Sequence, residues 1–533
     1  MTVKSRSISI AKPMKKGSSF EDFRPNRIAA ALLMAIGGVP AWAAPGPGAN
    51  NITLHTGLTT ATSLVTSGAV TDITTTTVRG NTGFNSFGHF NVDGGNTVNL
   101  HVPAGKANLV NLVHDSRVVI NGTLNGLKDG SIGGNVIFAD PHGLVVGAAG
   151  VINVGSLTVT TPSAAQMSQL AAVIDNGSAA EGEALAAALM AGNFNSGDGE
   201  VSIEGTVNSA GSVNLFAASA AVVSGAHVNA GAQVFQATVN TTGLVDATTA
   251  VRQDGSIVIV GAENVTIAGE LRALMADGGG GNVVVNAPDL TVDSTGKINT
   301  RALSGSQKAS GNISLQANSD LSFSAVNADG SKVDDVDQLE AAIQRQSKAN
   351  LGASHSVAKI DIKAGALLDA GHDDASKAGN IRVEALAVDK QLGGYAQAHS
   401  SVDIAGSLIG KDITARSVTH VAVDSALLGE FFSVAELESM IAKVKLLNSG
   451  WTDERAAEHI YTLLVDAIDS SHDKGATPPS NFSEFITLLP YATFAVAEGT
   501  SRVTVGRTAN IQASGDVHLA AETTRTVDTA NFS

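Results

Sequence analysis

The sequence predicts an all-β protein: a right-handed parallel β-helix, or solenoid, with helical insertions and a signal peptide in front. Three observations predict it. Glycine is abundant at 57 residues, whereas aromatic residues make up 4% and charged residues 15% of the chain. Such a composition suits stacked short strands with tight corners better than a core built around large side chains. From Asn50 onward, short alternating runs recur between turn signals, as in Thr97-Val98-Asn99-Leu100-His101-Val102. A template then repeats far along the chain: glycine, polar, apolar, any, apolar, any, small.

The N-terminal segment, residues 1–44, reads as an extended signal peptide. Lys4, Arg6, Lys12, Lys15, Lys16, Arg24 and Arg27 precede an apolar run from Ile28 to Val39. Pro40 and Ala41-Trp42-Ala43-Ala44 follow, with small residues suited to cleavage at Ala41, Ala43 or Ala44. The apolar run is shorter than the roughly 20 residues a spanning helix needs. No later segment is long and apolar enough to re-enter a membrane, so no stable membrane span is expected. Seven of the 33 basic residues leave with this segment but only two of the 49 acidic ones, Glu21 and Asp22. The remainder is more acidic than the whole-chain net charge of −16. A polyanion repels nucleic acid and anionic lipid, which excludes both as partners. The chain has no cysteine. A chain this long can bury an adequate core without disulfides, and their absence suits passage through a second membrane unfolded.

The template appears at Gly199-Glu-Val-Ser-Ile-Glu-Gly, Gly281-Asn-Val-Val-Val-Asn-Ala, Gly311-Asn-Ile-Ser-Leu-Gln-Ala, Gly379-Asn-Ile-Arg-Val-Glu-Ala and Gly515-Asp-Val-His-Leu-Ala-Ala. A second strand often follows, such as Val265-Thr-Ile or Leu290-Thr-Val. Alternation puts the apolar residues of each strand on one face. The glycines and Asn-Gly pairs are expected to supply positive φ at sharp corners. Stacked coils would bury the apolar face and pair every backbone group. A β-sandwich also explains short strands, but not a recurring Gly-Asn template. At about 20–25 residues per coil and 4.8 Å per strand, the winding predicts a rod on the order of 80–100 Å.

Residues 45–162 form the first domain of this reading, and residues 163–432 carry the repeats. Helix formers interrupt the pattern at 163–191 and at 334–349. Residues 433–480 read as a helical hairpin insertion, with arms Val434 to Leu447 and Thr452 to Ile468 and with Thr452 as an N-cap. Each insertion is either a binding element or a cover over an exposed stretch of the stack. The β pattern resumes over 481–533 and stops mid-template, as a fragment or a truncated product would.

Three stretches of the first domain carry a resemblance. They are Gly83-Phe-Asn-Ser-Phe-Gly-His-Phe-Asn-Val92, Asn108-Leu-Val-Asn-Leu-Val113, and Gly134-Asn-Val-Ile-Phe-Ala-Asp-Pro-His-Gly-Leu-Val-Val-Gly147 with its sequel Gly150-Val-Ile-Asn-Val-Gly155. This region resembles the N-terminal secretion domain of two-partner-secretion exoproteins, the filamentous haemagglutinin type, closest in style to leukotoxin-like filamentous adhesins. Where the family has Asn-Pro-Asn-Gly-Ile, this chain has Asp140-Pro141-His142-Gly143-Leu144. Pro141 and Gly143 keep the turn-forming positions, whereas both asparagines are replaced. The resemblance makes Asn108, Asn111, Asn135, Asp140, Pro141, His142 and Gly143 the secretion-motif candidates. It implies recognition in the periplasm by an outer-membrane Omp85-type transporter with POTRA domains, then export to the outer surface of a Gram-negative bacterium.

The resulting expectation is a secreted, surface filamentous adhesin, exported by a type V two-partner system and binding a host or bacterial surface receptor. The stalk of a larger exotoxin, of the haemolysin, leukotoxin or contact-dependent inhibition type, is the alternative. No enzymatic activity, cofactor or metal is expected. No His-Glu-x-x-His, Gly-x-Ser-x-Gly or phosphate-loop motif occurs. A β-helical polysaccharide-active enzyme would need clustered Asp, Lys and Arg in a cleft, and the basic residues here are dispersed. His89, His101, His114 and His142 are read as solvated strand or turn positions. Asp277-Gly-Gly-Gly-Gly-Asn282 and His372-Asp373-Asp374 invite a cation but lack the tandem repeats of calcium sites.

Overall fold

In the computed structural model, the chain winds repeatedly past two parallel sheets, of 20 and 13 strands among the described residues. The described residues are 48–58, 60–193, 197–231, 255–275, 277–320, 355–391, 394–424, 434–447, 451–452, 455–456, 459 and 495–528. The signal-peptide segment 1–44 and the helix expected at 334–349 lie outside them, as does most of the second arm of the 433–480 hairpin.

One circuit makes two strands in the larger sheet and one in the smaller. Asn108–Val113 and Val118–Ile120 belong to the larger sheet, Thr123–Lys128 to the smaller, and Asn135–Ala139 begins the next circuit directly beside Asn108–Val113. Register then propagates in three aliphatic columns. The first runs Leu109, Val136, Leu157, Val213, Ile257, Val283, Ile313, Ile381, Ile413 and Val517. The second runs Val118, Leu144, Val201, Ala220, Val265, Leu290, Ile360, Val402 and Val503. In the smaller sheet the column is Val98, Leu124, Ile152, Val207, Val228, Leu271, Ile298, Leu368, Leu408 and Ile511. Except at the last circuit, where Val517 is exposed and Val503 and Ile511 are only partly buried, these residues meet in one continuous core. Val, Ile and Leu dominate because a branched side chain fits between its copies one strand above and below.

The first circuit is closed by antiparallel strands. Asn51–Leu54 pairs with Phe87 to Asn91, and Thr62–Ser67 pairs with Val70–Thr75.

The repeating template has a different physical basis from the one its composition suggests. Its glycines at 281, 311 and 379 do not take positive φ. A Cβ on Gly311 would lie 1.9 Å from the carbonyl oxygen of Gly281, and one on Gly379 would lie 1.8 Å from that of Gly311. The circuits approach so closely here that only a missing side chain fits. The polar residue after each glycine is a clamp between circuits. The side-chain oxygen of Asn282 accepts from the Asn312 N–H (2.9 Å), that of Asn312 from Asn380 (2.8 Å), and that of Asn380 from Asp412 (3.2 Å). Asp412 in turn accepts from the Asp516 N–H at 3.0 Å.

Residues 164–191 form two helices, α1 (Ala164–Asn176) and α2 (Ala179–Ala191). Ser163 caps the first, and Ser178 with Glu181 forms a reciprocal capping box on the second. They cover the outer face of the larger sheet where that face is apolar. Phe84, Val110, Leu112, Ile137 and Ala139 pack there against Met167, Leu170, Ile174, Ala186 and Leu189. Beyond this patch the outward positions continue as Thr158, Asn214, the half-buried Val258 and Val284, and then Ser314, Arg382 and Thr414. This insertion is therefore a cover. A third helix, α3 (Val434–Leu447), forms the first arm expected of the hairpin, and Thr452 Oγ1 accepts from the Arg455 N–H at 3.4 Å in the manner of an N-cap. No helix among the described residues is long and apolar enough to cross a membrane.

Candidate functional site

The turn Asp140-Pro141-His142-Gly143 joins the strands Asn135–Ala139 and Gly143–Val146 at the corner between the two larger-sheet strands of one circuit. Asp140 is fully buried. One carboxylate oxygen accepts the His142 N–H at 2.8 Å, and the other accepts the Val118 N–H of the preceding circuit at 2.9 Å. His142 Nδ1 lies 3.2 Å from the same carboxylate. Asp140 thus ties the turn to itself and to the neighbouring circuit. Burial pushes its carboxyl up to about 6, although these hydrogen bonds and His142 pull it down.

Gly143 has φ +93°, and a Cβ there would lie 1.9 Å from the Glu200 carbonyl oxygen of the following circuit. Arg117 completes the assembly: its Nε donates to the His142 carbonyl at 3.1 Å, and a terminal nitrogen lies 3.5 Å from Glu200. Of the four turn residues, His142 is the one with a substantially exposed side chain, at 48%. Asp140 and Gly143 shape the corner and cannot be touched by a partner of the folded chain.

Of the asparagine candidates, Asn108 and Asn111 are buried and Asn135 is half-buried. Asn135 Nδ2 donates to Asn108 Oδ1 at 2.8 Å, and Asn108 Nδ2 donates to Thr82 Oγ1 at 3.2 Å. Asn111 is fully buried, receiving a 3.0 Å bond from Asn85 Nδ2 and donating to the Ile137 carbonyl at 3.3 Å. Each of these bonds runs between adjacent circuits. The candidates fall in two groups at neighbouring positions of the same circuits, one column at the start of the strand and one at its middle.

A longer amide ladder escaped the sequence reading. Asn229 donates to Asn208, Asn208 to Asn153, Asn153 to Asn125 and Asn125 to Asn99, each at 3.0 Å, and Asn99 donates to the Asp72 carboxylate at 3.0 Å. The signal was present: each asparagine follows an aliphatic residue (Val98, Leu124, Ile152, Val207, Val228), at separations of 26, 28, 55 and 21.

The histidines are less solvated than expected. His101 Nε2 contacts Asp72 at 2.8 Å. The ring of His114 stacks on that of His55 at 3.9 Å and 14°. The two acidic stretches that invited a cation are occupied by protein groups. Asp373 bonds Arg301 (2.7 Å), Ser304 and the Gly305 N–H, which hold its carboxyl down at about 2. Asp374 caps the short helix Ala375–Lys377, and Asp277 bonds the Gly279 N–H and lies 3.2 Å from Lys308. Among the described residues, no three His, Asp or Glu side chains converge on a metal position.

No family model and no curated protein matches the chain. Among solved structures it is similar to the crystal structure of the HMW1 secretion domain from Haemophilus influenzae. The two are 14% identical, the match covers 70% of this chain and 95% of that one, and the TM-score is 0.26. The functional reading therefore rests on the residues of this chain.

Proposed function

We propose that the chain is the exported partner of a two-partner secretion system, with residues 45–162 as its export address and the remaining circuits as the shaft of a surface adhesin. The finer architecture proposed with it is a right-handed parallel β-helix. Three parallel columns that keep register over nine or ten circuits support that winding, and β-crossover connections between parallel strands are overwhelmingly right-handed. The carrying observation is the run Gly134 to Gly155. It combines the family-like Pro-x-Gly turn with a corner locked by Asp140 and Gly143 to the circuits on either side. The partner would be an outer-membrane transporter of the Omp85 type, and the reading includes no catalytic step.

The geometry also supports one way for such an address to be read. Most of the motif residues are buried, so they hold a shape, while His142 and Arg117 present it. The test expresses the whole chain with and without the candidate transporter and assays the culture medium. Export should require the transporter. His142→Ala should reduce export severalfold while lowering thermal stability only slightly, because the backbone N–H that binds Asp140 remains and the side chain is half exposed. Export that persists without the transporter would end the two-partner reading. Unchanged export of His142→Ala would confine the turn to a folding role.

A further inference from the structure

We propose that the stacked imidazoles of His55 and His114 are an acid-operated release for the N-terminal strand Asn51–Leu54, the strand that closes the open edge of the first circuit. This strand pairs antiparallel with Phe87 to Asn91, and its register breaks between Thr53 and Leu54. Ile52 packs against the core, Asn96 Nδ2 donates to the Gly48 carbonyl at 2.6 Å, and Asn50 Nδ2 donates to Thr71 Oγ1 at 3.5 Å. Asn50 accepts from the Asp93 N–H at 2.9 Å and from Asn96 Nδ2 at 3.0 Å, and Thr53 Oγ1 accepts from the His89 N–H at 3.1 Å. The strand ends at His55, whose backbone N–H donates to the Ser86 carbonyl at 3.1 Å. The ring of His55 then lies flat on that of His114, which projects from the corner after Asn108–Val113.

His114 is half-buried, and its Nε2 lies 3.1 Å from the hydroxyl of Ser86, itself almost fully buried. The groups that act on its charge are on the page. His55 covers one face, contributed by the strand itself. Asp115 stands beside it on the same corner, 3.9 Å from His55 Nδ1. From Thr82–Val92 come Ser86 and, further along, His89 bonded to Thr53. Two neutral imidazoles stack without penalty. Two imidazolium rings in the same position repel, and Asp115 can neutralise only one of them. Burial, and then the neighbouring His55, lower His114 from 6.5 to about 4, with Asp115 opposing. Opening the strand separates the rings and lets both hydrate.

The sign follows from that depression. A histidine whose folded pKa lies below its unfolded value favours the closed state above pH 6.5, and closure weakens as pH falls from 6.5 towards 4. The full difference would correspond to about 300-fold in the opening equilibrium. Partial exposure screens it, so about ten- to a hundredfold is expected.

The experiment is hydrogen–deuterium exchange on the whole chain at pH 7, 5.5 and 4.5, corrected for the intrinsic pH dependence of exchange. Protection of the amides from Asn51 to Gly57 should fall about ten- to a hundredfold at pH 4.5, while that of Asn108–Val113 stays level. His114→Phe keeps a ring to stack but takes no proton, and its protection should be independent of pH. His55→Phe tests the pair from the other side, should the first variant fail to fold. Wild-type protection that stays constant to pH 4.5 would overturn the proposal, as would an equal fall in a folded phenylalanine variant.

Discussion

Asp140 shows how much one residue of this fold carries. An asparagine, the residue the resemblance expects there, could accept one of the two N–H bonds but not both. The carboxylate accepts both, at the cost of burying a charge. Its folded pKa of about 6 lies above the ordinary carboxylate value, so its stabilising contribution is complete below about pH 4 and is lost as pH rises through 6. Wild type should therefore gain stability relative to Asp140→Asn between pH 7.5 and 4.5, by about 2 kcal/mol. Urea midpoints of both proteins at both pH values measure this. Taking the difference between the two proteins cancels the opposite contribution of His114. A difference of zero, or one favouring the variant in acid, would mean that Asp140 is ionised freely in the fold.

At the scale of elements, circuits are joined by stacked like residues as well as by backbone bonds. The ladder from Asn229 to Asp72 points every amide the same way, and it ends on a carboxylate that accepts the last donor. Asp72 is held below the usual carboxylate range by His101 and Asn99, which fits its place as the ladder's acceptor. Asn153→Ala should leave Asn125 Oδ1 and Asn208 Nδ2 unpaired in a buried column, costing about 3 kcal/mol. Asn214→Ala removes a single bond to Thr158 from a half-buried position and should cost less than about 1 kcal/mol. Equilibrium unfolding of both variants compares them directly, and equal losses would show that the ladder adds nothing beyond ordinary side-chain bonds. The helices α1 and α2 belong to this scale too. Arg79 donates to the carbonyls of Ile174 and Asp175 and so anchors the end of α1 to the beginning of the stack. The outer apolar face of residues 45–162 is thus covered by residues that follow it in the chain.

At the largest scale, the number of circuits among the described residues decides the length of the stack they form. Eleven strands follow one another in the first position of the larger sheet, from Thr82–Val92 to Val517–Asp528. At about 4.8 Å between strands, they make a stack roughly 50 Å long. The described circuits account for about half of the rod expected from dividing the chain by a coil length. The strands on either side of the longer intervals pair directly: Ser156–Thr160 with Val213–Val222, Val213–Val222 with Ile257–Ile267, Ile313–Asp320 with Ile381–Gln391, and Gly394–Ile404 with Ala495–Val505. Small-angle scattering on the purified chain should give a cross-section profile for a shaft of about 50 Å. A fitted length near 100 Å would mean that residues outside the described strands add circuits of their own.

The periodic features were legible in the sequence because each coil repeats one local problem. Alternation in Val283-Val284-Val285 or Ile313-Ser314-Leu315 states which side is buried, and the Gly-Asn template marks the corner. The helix formers at 164–191 and 434–447 were equally plain, since helix propensity is local. What the local pattern could not carry was anything defined by a neighbour one circuit away. The reason Gly311 must be glycine lies in the carbonyl of Gly281, and the partner of Asn153 is 28 residues earlier. The role of α1 and α2 depends on Phe84 and Val110, which are brought beneath them only by stacking. Asp140 reads in sequence only as a turn residue of the secretion motif, and its burial and its bond to Val118 of the preceding circuit exist only in the stack. Sequence alone determined the repeating unit, since backbone pairing and apolar alternation act within one strand. Tertiary structure decided what each repeated residue touches, since that contact exists only once one circuit lies on another.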